Sequence, residues 1–197
     1  MRDHIVSIDR SVNLAAIEYA DNFNVAVPFI DRHLTEGRGD KVAISAAAGT
    51  VTYAGLAQNV NRCGNVFRSL GLAPGDRVLL VVKDCAEFFY AFWGAIKAGY
   101  VPAPLNTMLR AHDYQYMIDA SECATIVYSP EFASEVEPAL AAANHKPAHV
   151  YRIDGEGSSL TSLINTASAE LEPASAAAAD DCFWLFSSGS TGAPKAA

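Results

Sequence analysis

The sequence predicts an α/β protein with a mostly parallel sheet flanked by helices. Apolar runs of strand length alternate with helix-period segments through most of its 197 residues. One run, residues 77–82, is apolar on both faces, which is typical of a central strand in a helix-covered parallel sheet. Hydrophobic residues make up 51% and charged residues 18%, a composition that argues against disorder. Strand–helix–strand repeats of this length give right-handed crossovers and an open sheet.

The first part of the chain combines an irregular start with a helix and a hairpin. The first twenty residues show no clear periodicity, so an N-terminal arm is expected over residues 1–22. Pro28 suits the first turn of a helix, where its missing N–H costs nothing, and Gly37 ends that helix. Two short strands are then predicted at 41–45 and 50–53.

A long amphipathic helix and the central strand follow. Apolar residues step by four and three along one face of this helix, which Gly71 ends; they are Leu56, Val60, Cys63, Phe67 and Leu70. After the strand at 77–82, residues 88–96 form an apolar helix that Gly99 stops.

The alternation continues to residue 153 and then gives way to a connector. The remaining predicted elements are strands at 100–104, 125–128 and 149–153 and helices around 114–118 and 132–140. Residues 170–181 are alanine-rich and polar, and they are typical of a connector and not of a core element. The predicted division is an α/β subdomain at 23–169, the connector at 170–181, and a strand plus loop at 182–197 that begins a further subdomain.

Charge and histidine placement argue against nucleic acid and against metal. The net charge is −8, from 14 basic and 22 acidic side chains, and no basic stripe interrupts it. The five histidines are scattered along the chain, and no metal site is predicted.

The cysteines and the apolar runs favour a cytoplasmic protein without a membrane span. No CxxC pair occurs, and buried reduced thiols are expected at Cys63, Cys85, Cys123 and Cys182. The N-terminus lacks the apolar core of a signal peptide. The longest wholly apolar run, 88–96, is too short to cross a bilayer.

The last part of the chain carries the clearest chemical signal. An apolar strand at 182–186 runs into Ser-Ser-Gly-Ser-Thr-Gly-Ala-Pro-Lys at 187–195. Gly189 and Gly192 allow the backbone to turn tightly around an anion, and successive N–H groups in such a turn form a nest. The hydroxyls and one lysine, without any acidic side chain, suit a polyphosphate. The donors are Ser187, Ser188, Ser190, Thr191 and Lys195.

Two other interpretations of this loop are a Walker A motif and a flexible linker. A Walker A motif needs four residues between its glycines and a Lys-Ser or Lys-Thr after the second, and this loop has neither. A flexible Ser/Gly linker is the simpler alternative, but the preceding apolar strand and the Pro-Lys ending argue against it.

The nine-residue loop resembles the signature loop of the adenylate-forming superfamily, which includes acyl- and aryl-CoA ligases. Val51-Thr-Tyr-Ala-Gly-Leu56 and Gly94-Ala-Ile-Lys-Ala-Gly-Tyr-Val-Pro-Ala-Pro-Leu-Asn106 are similar to two earlier segments of that superfamily, in the same order. The resemblance extends from about residue 20 to the end and implies the large N-terminal domain of such an enzyme.

The benzoate–CoA and hydroxybenzoate–CoA ligases are the branch that the chain resembles most. The stretches that carry this are Phe23-Asn-Val-Ala26, Phe92-Trp-Gly-Ala-Ile-Lys-Ala-Gly99, Asp113-Tyr-Gln-Tyr-Met117 and Phe183–Gly192. One departure is Ala196, where many members have glycine. A second is the length, because the adenine-binding segment, the ribose-binding aspartate and the C-terminal catalytic lysine of the family have no counterpart here. We therefore expect an N-terminal portion, inactive by itself.

The resemblance implies an ATP-dependent acid–CoA ligase that activates an aromatic carboxylate as its adenylate. The implied co-substrates are ATP and CoA. The implied cofactor is Mg²⁺, whose ligands would lie outside this chain. It assigns Lys195 a catalytic role and phosphate binding to Ser187, Ser188, Gly189, Ser190, Thr191, Gly192 and Lys195. These groups would stabilise charge on the departing pyrophosphate.

The sequence leaves three points open. The acceptor is CoA or, alternatively, the thiol of a carrier protein; a catalytically incompetent module is a third alternative. Arg110 is either a contact for a CoA phosphate or a solvated arginine at a helix start. The oligomeric state, monomer or homodimer, is not specified by the sequence.

Overall fold

The structure, a computed structural model, describes residues 3–12, 14–154, 159–187 and 194–197, and it begins with a hairpin. Strands β1 (Val6–Asp9) and β2 (Ala16–Tyr19) pair antiparallel, where the sequence indicated an arm without periodicity. Val6 faces Tyr19 and Ile8 faces Ile17, so one face of this hairpin is apolar. Both strands are largely exposed and lie outside the run of alternating strands and helices from which the other elements were predicted.

The next segment confirms the predicted helix, hairpin and long helix. It contains a π-helical turn (Val27–Asp31), α1 (Arg32–Thr35), β3 (Val42–Ala46), β4 (Gly49–Thr52) and α2 (Tyr53–Ser69). The Thr52 hydroxyl accepts a hydrogen bond from the Gly55 N–H at 3.1 Å and so caps the start of α2. Gly71 follows the end of α2 with φ of 70°, as its predicted capping role requires.

Four parallel strands form the central sheet in the order β6-β5-β7-β8. They are β5 (Arg77–Val81), β6 (Val101–Pro104), β7 (Thr125–Tyr128) and β8 (His149–Arg152), and the helices between them are α3 (Ala86–Ala98), α4 (Ala111–Ser121) and α5 (Ala133–Ala142). All these elements were predicted. Pro102 and Pro104 lie on β6, which is an edge strand, and there a missing N–H removes no ladder bond.

Two hydrophobic clusters cover the two faces of the sheet. Val78, Leu80 and Val82 point to a cluster formed with α2, α3 and α6 (Leu160–Thr166), a short helix that the sequence did not predict. Leu79 and Val81 point to a second cluster, formed with α4 and α5. The alternation along β5 thus explains why this strand is apolar on both faces.

Helices α2 and α3 touch at a pair of glycines. A Cβ on Gly94 would lie 2.9 Å from the Gly64 nitrogen and 3.0 Å from the Val60 carbonyl oxygen. A Cβ on Gly64 would lie 2.9 Å from the Gly94 carbonyl oxygen. The backbones therefore approach as closely as they do only because both residues lack a side chain.

The predicted connector, residues 170–181, has no helix or strand, but it is held against the core. Side-chain amides of Asn61 and Asn65 and the Arg68 guanidinium on α2 donate to backbone carbonyls of residues 168–170 and 172. Leu171 is buried, in contrast to the expectation that this stretch contributes nothing to the core. We call residues 168–176 the strap. The proposed domain boundaries stay a prediction.

Cysteines and helix lengths complete the comparison with the sequence. All four cysteines are free; Cys63 and Cys123 are buried, and Cys85 and Cys182 are partly buried. Within the described ranges, no helix has both the length and the apolarity to cross a membrane.

Candidate functional site

The predicted phosphate loop connects the two legs of a small hairpin. Strand β9 (Phe186–Ser187) pairs antiparallel with β10 (Lys195–Ala196), so that Lys195 lies opposite Ser187. Leu185 and Ala197 exchange two backbone hydrogen bonds, of 2.9 and 3.0 Å, at the base of the hairpin. The chain thus leaves and re-enters the loop at adjacent positions.

The apolar strand predicted at 182–186 is shorter and more exposed than expected. Only Phe186 lies in β9, and Phe183 and Leu185 are 41% and 50% exposed. Residues 183, 185 and 187 are exposed, whereas 182, 184 and 186 are half-buried. This alternation means that the segment lies on the protein surface with one face inward, unlike a strand in the middle of a sheet.

The hairpin has a protein side and a solvent side. Trp184 and Phe186 pack against the cluster under α4 and α5. Because side chains alternate along each strand and directly paired residues share a face, Ser187 and Lys195 project together to the opposite, exposed side. Two of the predicted phosphate donors are therefore neighbours on one surface.

Trp184 anchors the β9 leg through three contacts. Its backbone N–H donates to the Pro102 carbonyl at 3.0 Å, and its indole N–H donates to an Asp181 carboxylate oxygen at 3.0 Å. The Arg77 guanidinium carbon lies 5.6 Å from the centre of the indole ring. Arg77 is held in turn by the Ser121 carbonyl at the end of α4, 2.8 Å from its Nε. The edge of the sheet and the end of α4 thereby fix where the loop begins.

Tyr116 on α4 contacts the other leg. Its hydroxyl donates a hydrogen bond of 3.0 Å to the carbonyl oxygen of Pro194, which immediately precedes Lys195. Sequence reasoning assigned no role to Tyr116, Trp184 or Arg77. For Tyr116 a signal did exist, because this aromatic residue lies off the apolar stripe of its helix.

The remaining predicted site residues lie outside the described residues: Ser188, Gly189, Ser190, Thr191 and Gly192. Of the described set, Ser187 and Lys195 are exposed and brought together. In the part of the chain that the structure describes, no carboxylate forms an ion pair with Lys195. A cation and a hydroxyl on one exposed face form a donor set that fits an anion.

His33 and Arg110, which lie away from the hairpin, have structural partners. The His33 ring stacks on Tyr53 with centroids 3.8 Å apart and accepts a 2.9 Å hydrogen bond from Arg38 Nε. Burial, followed by the neighbouring Arg38 charge, lowers the pKa of His33. Arg110 starts α4 and pairs with Glu135 at 3.2 Å while its side chain stays 73% exposed, so it lies where a solvated helix-start arginine was expected.

Two clefts lie away from the hairpin. One, of about 610 Å³, runs between Phe23, Tyr100 and Asp180; the other, of about 740 Å³, lies between the N-terminal hairpin and Phe29. Neither is lined by Ser187 or Lys195. No cluster of three or more potential metal ligands occurs among the described side chains. The hairpin is therefore the candidate functional site.

Several curated relatives with similar sequences are aryl–CoA ligases. A benzoate–CoA ligase of Thauera aromatica is 43% identical over 189 residues, which are 95% of this chain and 36% of that protein. A 4-hydroxybenzoate–CoA/benzoate–CoA ligase of Rhodopseudomonas palustris is 38% identical over 88% of this chain and 33% of that protein. The chain thus spans about a third of the length of these relatives.

Solved structures and a family model agree with this similarity. An anthranilate–CoA ligase in complex with anthranoyl-AMP has a TM-score of 0.83 at 27% identity, over 90% of this chain and 34% of that one. A benzoate–CoA ligase from Burkholderia xenovorans LB400 has a TM-score of 0.73 at 31% identity, over 88% and 34%. The family model described as AMP-binding enzyme matches residues 31–197. The chain therefore belongs to the AMP-binding enzyme family.

Proposed function

We propose that the protein containing this chain is an AMP-forming, ATP-dependent ligase that joins an aromatic carboxylate, such as benzoate or a hydroxybenzoate, to CoA. One observation of the structure carries the proposal: Lys195 and Ser187 lie opposite each other on the exposed side of the hairpin that closes the loop. The aryl preference rests on the similarity to benzoate–CoA ligases. A cytoplasmic location stays a prediction.

The proposed reaction has two steps. A carboxylate oxygen of the acid attacks the α-phosphorus of ATP, and the bond to the bridging oxygen breaks, so that pyrophosphate leaves with the electron pair. The thiolate sulfur of CoA then attacks the acyl carbon of the adenylate, and AMP leaves. Mg²⁺ would accompany ATP, and we assign no residue to it.

The proposed contribution of this chain is electrostatic. The Lys195 ammonium and the hydroxyl of Ser187 would bind the β- and γ-phosphates together with the rest of the loop. Negative charge grows on pyrophosphate as the bond breaks, and a positioned cation stabilises that charge more than it stabilises bound ATP. Lys195 would therefore act chiefly on the rate of adenylate formation.

The proposal is tested with the complete protein that contains this chain, by measuring pyrophosphate release. We expect release from ATP with benzoate or hydroxybenzoate, and aryl-CoA formation when CoA is added. Release with aryl acids but no CoA ester would instead favour a carrier-protein acceptor. No release with any acid would mean an incompetent module and would overturn the proposal.

Lys195→Ala should slow adenylate formation by about 10- to 100-fold, since a hydrogen bond to a charged group contributes about 1.5–3 kcal/mol. The KM for the aromatic acid should change little, because the proposal assigns this lysine to the polyphosphate and not to the acid. Lys41→Ala, which removes an exposed lysine outside the hairpin, serves as the control. An unchanged rate in Lys195→Ala would remove this lysine from the mechanism.

A further inference from the structure

We infer that Tyr116 is a positioning residue of the loop, which fixes through Pro194 the leg of the hairpin that carries Lys195. The inference rests on the proposed function, because the ligand positioned is the polyphosphate of ATP. Tyr116 lies on α4, 78 residues away from Pro194 in sequence, and its hydroxyl lies 3.0 Å from the Pro194 carbonyl oxygen.

The Pro194 carbonyl faces away from β9. In an antiparallel pair, consecutive residues direct their N–H and C=O groups alternately toward and away from the partner strand. Leu185 and Ala197 exchange hydrogen bonds, so the paired residues Ser187 and Lys195 direct theirs inward in the same way. Pro194, one residue before Lys195, therefore directs its carbonyl outward, where Tyr116 meets it.

This contact acts on the backbone of Lys195 itself. The Pro194 carbonyl and the Lys195 N–H belong to one rigid planar peptide unit. The proline ring also fixes φ at about −65°, so the peptide plane has little freedom on its other side. A hydrogen bond to this carbonyl thus restricts the direction in which the Lys195 side chain leaves the hairpin.

Tyr116 contacts a different leg of the hairpin from the other anchoring residues. Trp184, Pro102 and Arg77 all act on the β9 leg. Among the described residues, Tyr116 is the only side chain that hydrogen-bonds to residues 194–197. Within the described ranges, the β10 leg otherwise has only its short ladder to β9, so that loss of the Tyr116 contact would let Lys195 move away from Ser187.

The test is Tyr116→Phe in the complete protein, which removes one hydroxyl and keeps the ring. Loss of one hydrogen bond should lower the rate of adenylate formation, the step on which Lys195 acts, by about 3- to 10-fold and leave the KM for the aromatic acid unchanged. Backbone amide exchange at residues 195–197 should speed up by a similar factor. Tyr19→Phe is the matched control, because Tyr19 is 48% exposed and its hydroxyl makes no hydrogen bond to the described residues.

Each other outcome overturns the inference. Unchanged amide exchange at residues 195–197 would show that Tyr116 does not hold the leg. Faster exchange with a wild-type rate of adenylate formation, or an equally large rise in the KM for the aromatic acid, would mean a purely structural bond. If the wild-type protein releases no pyrophosphate with any acid, the proposed function is wrong and so is this inference. The exchange data distinguish that case from one in which only the Tyr116 contact is unimportant, because they report on the hairpin without any activity.

Discussion

At the residue scale, Cys123 shows what burial does to an ionisable group. It is fully buried between α4 and β7, and burial raises the pKa of its thiol from 9.0 to about 11, although a Ser121 hydrogen bond and the Arg77 charge work in the other direction. The folded protein therefore holds this proton more tightly than the unfolded chain does. Stability from this group is fully present below pH 9 and is lost as the pH rises toward 11.

We expect the free energy of unfolding to fall between pH 8 and pH 10, with about 1 kcal/mol of the loss due to Cys123. Urea unfolding of the wild type and of Cys123→Ala at both pH values measures this. The alanine variant starts lower because of its cavity, but its stability should fall less steeply with pH. Equal slopes in the two proteins would contradict the assigned cause.

At the same scale, the candidate site was only half predictable. The donor types of the loop, Ser187 and Lys195 among them, stand next to one another in the sequence, so their chemistry could be proposed from composition alone. The sequence marks Tyr116 as an aromatic residue off the apolar stripe of its helix, but the contacts of Tyr116 and Arg77 with the hairpin could not be proposed. Each contact depends on a fold that joins residues 78 and 107 positions apart. Only the placement of α4 and β5 brings these residues to the hairpin.

At the scale of elements, the reliability of prediction followed element length and packing. Helix α2 has seventeen residues and β5 has both faces buried, and each gave a pattern that only one structure explains. Helix α6, with seven residues, and the largely exposed strands of the first hairpin were not predicted. The apolar composition of residues 182–186 is visible in the sequence. The exposure of Phe183 and Leu185 is not, because it depends on where the tertiary fold places this segment.

The contact between α2 and α3 yields a prediction at this scale. Gly94→Ala places a methyl group 2.9–3.0 Å from backbone atoms of α2, so the helices must separate. Overpacking costs about 1–3 kcal/mol, and the gain in helix propensity offsets at most about 1 kcal/mol of it. We expect a lower midpoint in urea unfolding. Gly39→Ala is the control, because its new Cβ would meet Ala54 at an ordinary 3.7 Å; equal midpoints in the two variants would mean that the helices separate without cost.

At the scale of the whole molecule, Asn24 connects three distant parts of the chain. Its side-chain amide is buried and donates to the carbonyls of Ile96 and Lys97 at the end of α3 and of Ala174 in the strap, at 3.0–3.3 Å. Its carbonyl oxygen accepts the Ala26 N–H at 3.1 Å. The strap has no regular structure of its own, so these bonds, with those from α2, determine its path from the core to the hairpin.

Asn24→Ala should therefore destabilise the protein by about 2–3 kcal/mol, because it leaves the buried Ala26 N–H and the Ala174 carbonyl without their partner. Asn65→Ala is the matched control: it removes two bonds to the same strap, but from an exposed position where water replaces them, and should cost about 0.5–1 kcal/mol. Urea unfolding gives both values, and amide exchange at Ala26 and Ala174 shows where the structure loosens. A loss in Asn24→Ala no larger than in Asn65→Ala would mean that the Asn24 amide holds the strap no more firmly than a solvent-accessible contact does.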